Sequence, residues 1–148
     1  MSKLIYVLNG PNLNMLGKRE PDIYGTTTLE EIRARTLAEA GALGLECEFR
    51  QTNHEGVMVE WLQEAFERDA GVIINPAGFS FASFPVLDAV KLIAMPVIEL
   101  HISNIHQRDA AHRHSLISLA ATAVICGLGA GGYPIAVRAI AAAMKSEV

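Results

Sequence analysis

Leu4-Ile5-Tyr6-Val7-Leu8-Asn9-Gly10-Pro11-Asn12, followed after a polar segment by Thr28-Leu29-Glu30-Glu31, decides how the rest of the chain is read. The apolar residues at its start do not alternate with polar ones, and a strand of that kind is covered on both faces. Thr28 and Glu31 form a capping box, after which Leu29, Ile32, Thr36, Leu37, Ala40 and Leu43 make one helical stripe that stops at Gly44. A buried strand passing through a loop into a capped helix opens a βα series.

The series continues. Glu46-Cys47-Glu48-Phe49-Arg50, Val72-Ile73-Ile74, Pro96-Val97-Ile98-Glu99-Leu100 and Ala123-Val124-Ile125-Cys126 read as further strands, and only the first of these carries the polar alternation of a sheet edge. Helical patterns separate them: Val57 to Phe66, about Phe84 to Ala94 with Pro85 in the first turn, and about Pro134 to Met144. Repeated βα units with right-handed crossovers give a parallel sheet with helices on both faces. The spacing predicts an α/β, flavodoxin-like three-layer sandwich with a five-stranded sheet in the order 2-1-3-4-5, one domain over residues 1–148.

Hydrophobic residues make up 51% of the chain, enough for a core without disulfides or a structural metal. A net charge of −4 and the absence of any basic run argue against a nucleic-acid partner. Cys47 and Cys126 sit in apolar strands with no ligand-spaced Cys or His nearby and read as buried, reduced thiols. The first apolar run is too short for a signal-peptide core, and none approaches the ~20 residues that span a bilayer. A cytoplasmic protein with no membrane partner is expected.

In open sheets of this order, ligands bind beyond the carboxyl ends of the strands, near the switch point between strands 1 and 3. The loops after Leu8, Ile74 and Leu100 reach that place and bring Asn12, Arg19, Tyr24, Asn75, His101 and Ser103. The first loop, Asn9 to Gly25, is long and polar with glycine and proline hinge points, and reads as a lid whose mobile part spans about residues 18–25. Tyr24 on it is either a surface anchor or a base. With an unperturbed pKa of about 10, the second use needs neighbouring positive charge, which Lys18 and Arg19 supply.

Glu99 and His101, two apart on a strand, share one side, where the carboxylate fixes the imidazole tautomer and raises its basicity. The alternative is a satisfied histidine at a strand end; the Ser103-Asn104 backbone, suited to binding a carboxylate, favours the chemical reading. Gly127 to Gly132 has the glycine spacing of a dinucleotide fingerprint but lacks the acidic residue and second strand about 20 positions on. These glycines read as close packing or a subunit contact. His101, His106, His112 and His114 spread over a loop-rich segment without the supporting ligands of a zinc site, and His54 reads as a capping or structural residue.

Asn9 to Gly17, Arg19-Glu20-Pro21 with Tyr24-Gly25, Gln51-Thr52-Asn53-His54-Glu55-Gly56, Asn75-Pro76 and Glu99-Leu100-His101-Ile102-Ser103-Asn104 together closely resemble the type II 3-dehydroquinate dehydratases, in order and spacing over nearly the whole chain. The resemblance implies a lyase of the shikimate or quinate pathway that removes water from 3-dehydroquinate through an enolate, with no metal or organic cofactor. By that likeness Tyr24 is the phenolate base, Arg19 lowers its pKa and closes over substrate, Asn12 holds a water at the enolate oxygen, and His101 protonates the departing hydroxyl. Asn75, Ile102 and Ser103 grip the substrate. The family's dodecamer, a tetramer of trimers, is implied as well, with Asp88 reaching into a neighbouring subunit's site.

The chain departs from the family at two places. Where the family carries Thr-His-Thr-Ser this sequence has Ser80-Phe81-Ala82-Ser83, so a polar contact to substrate is lost. The family's arginine is replaced by His112, with Arg113 beside it as a possible substitute cation. Both changes touch recognition and leave the proton-transfer groups intact. An active 3-dehydroquinate dehydratase is the first expectation; a paralogue acting on a related cyclic acid, or a nonenzymatic ligand-binding protein, is the alternative.

Overall fold

The computed structural model describes residues 3–18 and 20–145, with the backbone alone at positions 23 and 24. β1 (Leu4–Asn9) leads through α1 (Pro21–Tyr24) and α2 (Leu29–Ala42) to β2 (Glu46–Gln51), and α3 (Glu55–Glu67), β3 (Gly71–Asn75), α4 (Phe84–Val90), β4 (Val97–His101), β5 (Ala123–Cys126) and α5 (Gly132–Lys145) follow. The strands pair in parallel in the order β2-β1-β3-β4-β5, as the sequence predicts.

Every residue of β1, β3 and β4 is buried, which explains why their sequences do not alternate. Ile5, Val7, Ile73 and Ile98 pack with Ile32 of α2 and Val137 and Ile140 of α5 on one face. On the other, Tyr6, Leu8, Val72 and Ile74 pack with Met58 and Leu62 of α3 and Val86 of α4. Full burial of each such aliphatic side chain contributes roughly 1.5–3 kcal/mol. Arg50 on β2 straps α3 to the sheet: its guanidinium lies 5.0 Å from the Tyr6 ring centre and its Nη2 is 2.8 Å from Glu64.

The caps form where the sequence places them. Thr28 Oγ1 accepts from the Glu31 amide at 3.2 Å, and Ser83 Oγ accepts from the Val86 amide at 3.2 Å with Pro85 in the first turn of α4. That helix ends at Val90 rather than near Ala94. The amides of Leu92 and Ile93 turn back three residues, to Ala89 and Val90, and Pro96 disfavours helical backbone at Met95. At the start of α3 His54 makes no side-chain cap; its own amide is held by Thr52 Oγ1 at 3.0 Å.

β5 departs from the expectation of a strand buried on both faces. It pairs only with β4, and Ala123 and Val124 are exposed. The predicted order already places this strand at an edge; its apolar run alone does not say how far each face is covered. Cys47 and Cys126 are free thiols as read, but only half-buried, and burial pushes the Cys47 thiol up to about 12. No helix among the described residues is long and apolar enough to cross a membrane.

Candidate active site

β1 and β3 end side by side, with Asn9 and Asn75 as register partners, and the Gly10 amide donates to the Asn75 carbonyl at 2.8 Å. Here the two loops touch. A Cβ on Gly10 would stand 2.3 Å from the Pro76 carbonyl oxygen, so only glycine fits. Gln51 Nε2 donates to the Gly10 carbonyl and to Asn53 Oδ1, each at 3.1 Å, and Asn53 Oδ1 also accepts from the Asn12 amide at 2.9 Å. The Gln51-Thr52-Asn53 run thus braces the loop and holds Asn12 in the left-handed conformation, φ 69°, that asparagine tolerates.

Beyond these strand ends lies a cavity of about 380 Å³, lined by Asn12, Asn75, Phe81, His101, Ser103 and His112, with Ile102 and Arg108 beside Ser103. Its place at the switch point and its size suit a small ring compound. Among the described residues no three His, Cys, Asp or Glu side chains come together as metal ligands.

His101 ends β4 and is 5% exposed. Its Nε2 bonds to Glu99, which is wholly buried and whose second oxygen accepts from Ser118 Oγ at 2.6 Å. Burial pushes the Glu99 carboxyl up, but hydrogen bonds from His101, Ser118 and Ser115 and the charge of His101 outweigh it and hold the group below its ordinary 4.5. An ionised carboxylate can only accept, so His101 Nε2 carries the proton and Nδ1 is the nitrogen left for the cavity.

Next to His101, Ser103 Oγ accepts from Arg108 Nη2, and the Ile102 carbonyl accepts from the Gly129 amide at 3.0 Å. A cation, a hydroxyl and a strand-end backbone therefore gather at one end of the cavity, a set that matches a carboxylate. On another wall the Phe81 ring meets His112 edge to face, centroids 5.1 Å apart at 79°. His112 Nδ1 is held by Asp109 at 2.9 Å.

Other residues singled out in the sequence stand elsewhere. Arg113 is exposed and does not line the cavity, and Asp88 is exposed on α4, away from the cavity of its own chain. Arg19 and the Tyr24 side chain lie outside the described residues. Arg108 matches the family pattern in the sequence, which gives it no role there, and sequence reading missed Ser118, since a serine seventeen residues from His101 carries no signal without the fold.

A sequence model described as dehydroquinase class II matches residues 3–141. A protein of Brucella canis named 3-dehydroquinate dehydratase is 53% identical over 147 residues, covering 99% of this chain and 94% of that one. Among solved structures, type II dehydroquinase from Propionibacterium acnes superposes with a TM-score of 0.92 at 45% identity, over 96% of this chain and 98% of that one. Type II dehydroquinase from Butyrivibrio crossotus gives 0.91 at 33% identity, over 94% and 97%. With the parallel 2-1-3-4-5 sheet and the His101 cavity at its switch point, these likenesses show that the chain belongs to the class II dehydroquinase family.

Proposed function

We propose that this protein is a hydro-lyase that converts 3-dehydroquinate to 3-dehydroshikimate through an enolate. The observation that carries the reading is the Glu99–His101 pair beside Ser103 and Arg108: the buried carboxylate holds the Nε2 proton and favours an imidazolium, whose second proton, on Nδ1, is the one to be given up in the cavity.

The chemistry follows from the substrate. A proton α to the C3 ketone is acidic because its electron pair passes into an enolate; expulsion of the C1 hydroxyl then gives the conjugated enone. Tyr24, as phenolate, takes the C2 proton, with Arg19 lowering its pKa. Asn12 holds a water against the enolate oxygen. His101, as the imidazolium that Glu99 stabilises, gives its Nδ1 proton to the departing hydroxyl, which leaves as water, and keeps the Nε2 proton in the bond to Glu99, while Asn75, Ile102 and Ser103 hold the ring. The ketone is itself the electron sink, so the scheme calls on no metal or organic cofactor. Residues 18–25 act as the lid that brings Arg19 and Tyr24 over the substrate.

Phe81 and His112 bear on affinity rather than on the reaction. The 53% identical relative carries the dehydratase name, which supports the dehydratase reading over a redirected paralogue. A cytoplasmic dodecamer, a tetramer of trimers with Asp88 entering a neighbour's site, belongs to the same reading; the exposed Phe84 on α4, at 61%, and Leu119, at 74%, support a surface that other copies cover. Light scattering at twelve chain masses checks the assembly.

The test of function is growth of enone absorbance from 3-dehydroquinate over a range of pH. Activity should rise with pH through an apparent pKa well below the ordinary tyrosine value of about 10. Folded protein that yields no enone would falsify the reading.

A further inference from the structure

We infer that Tyr133 is a positioning residue: its hydroxyl turns the Asn75 amide so that the oxygen, not the nitrogen, faces the cavity, and the site therefore demands a hydrogen-bond donor from its ligand at that point. Asn9, Asn75 and Tyr133 form a chain of bonds whose direction is fixed at one end by a group that can only accept.

The main-chain carbonyl of Arg50 is that group. It is met at 2.9 Å by the Asn9 amide nitrogen, so Asn9 Oδ1 points the other way and must accept. The Tyr133 hydroxyl donates to it at 2.6 Å. Having spent its one proton, the hydroxyl oxygen can only accept, and Asn75 Nδ2 donates to it at 2.9 Å. Asn75 Oδ1 has no partner among the described residues, and Asn75 lines the cavity. An asparagine on its own could present either end of its amide; here the orientation is set by a peptide carbonyl three bonds away. Burial pushes the Tyr133 hydroxyl above its ordinary range, so it keeps the proton the chain requires.

This gives the glycine-rich segment before α5 a purpose. Gly132 opens α5 at a point where an added Cβ would come within 3.1 Å of Leu100 Cδ1 on β4. The close approach lets the next residue, Tyr133, pass beneath the strand ends, where it is 1% exposed. The segment that looks like a nucleotide loop thus delivers a side chain to the site from below.

For ligand choice the consequence is directional. A carboxylate opposite Asn75 would set acceptor against acceptor, whereas a hydroxyl donates into it. The carboxylate is then left to Ser103 and Arg108, and the hydroxyl on the same carbon comes to lie between Asn75 and His101. The identity of that hydroxyl rests on the dehydratase reading; the role of Tyr133 does not.

Two measurements decide it. Exchange of the Asn75 side-chain amide protons, followed by NMR with nitrogen-labelled asparagine and no ligand, should be slow in the wild type and fast in Tyr133→Phe. Equal protection in both, or fast exchange in the wild type, overturns the inference. Should the variant not fold, a cross-peak between the Asn75 amide protons and the Tyr133 ring in the wild-type protein takes its place, and its absence has the same force. Calorimetry with quinic acid and 1-deoxyquinic acid reads the consequence. The wild type should favour the hydroxylated ligand by about tenfold, the worth of one net hydrogen bond, and Tyr133→Phe should bring the ratio within about twofold by weakening the hydroxylated ligand alone. Loss of affinity for both ligands alike would show a merely structural tyrosine. A wild type that binds neither counts against the dehydratase reading, and amide exchange still decides the positioning.

Discussion

On one wall of the cavity His101 ends a fully buried strand, with both oxygens of its partner Glu99 occupied by His101 and Ser118. On another, Phe81 and His112 meet edge to face on short 3-10 turns, and the His112 side chain is 53% exposed with Asp109 as its hydrogen-bond partner. Glu99 and His101 are set by a strand that the core cannot release. Phe81 and His112 sit on surface turns, where exchange of a residue disturbs little else. The two departures from the family pattern read in the sequence, at Phe81 and His112, both lie on the second wall.

Breaking the first wall should have the largest effect. His101→Ala removes the proton donor and should lower kcat by about 10²–10⁴-fold while the chain still folds; retention of more than a tenth of wild-type kcat would remove His101 from that role. Glu99→Gln keeps the volume and removes the charge that fixes the tautomer, so a loss of about 10²-fold, the lower end of that range, is expected. The same variant carries a pH signature. The Glu99 carboxyl is held below its ordinary 4.5 in the folded chain, so its stabilising contribution is complete above that value and is lost as pH falls through the lower folded one. Glu99→Gln should therefore flatten the acid limb of the unfolding curve, and an unchanged limb would mean that the carboxylate is not the group titrating there.

The second wall gives the smallest change and in the opposite direction. Phe81→His with His112→Arg restores a donor and a cation, and should raise kcat/KM for 3-dehydroquinate by about tenfold through KM, consistent with one or two regained hydrogen bonds. An effect on kcat instead of KM would place these residues in the chemical step and undo the contrast between the walls.

The strands of the first wall were legible because they had to be apolar throughout, and a continuous apolar run between capped helices has few other readings. Glu99 and His101 were legible as a pair because alternation along a strand is rigid, and the structure bonds them. Elsewhere the same rules ran out. The apolar run of β5 read as covered on both faces although the strand order put it at the edge, and α4 reads too long because Leu92 and Ile93 continue an apolar stripe in a turn that has left the helix. Arg108 reaches Ser103 through a turn whose path is not encoded in periodicity, and Tyr133 follows a glycine run that reads as close packing and by itself names no side chain that the packing delivers. Residues placed by tertiary contact, as opposed to periodic position, were the ones that sequence could not place.

The bond from Tyr133 to Asn9 joins positions 124 residues apart. In a chain emerging from the ribosome such a contact is made late, since β1 is synthesised long before α5, and parallel crossovers of this length form slowly. Until α5 docks, Asn9 and Asn75 have lost a partner inside the sheet, and a buried polar group in that condition costs about 1–3 kcal/mol. The residues that would orient the substrate thereby also register that synthesis has passed α5, and a partly made chain has no finished cavity to fill.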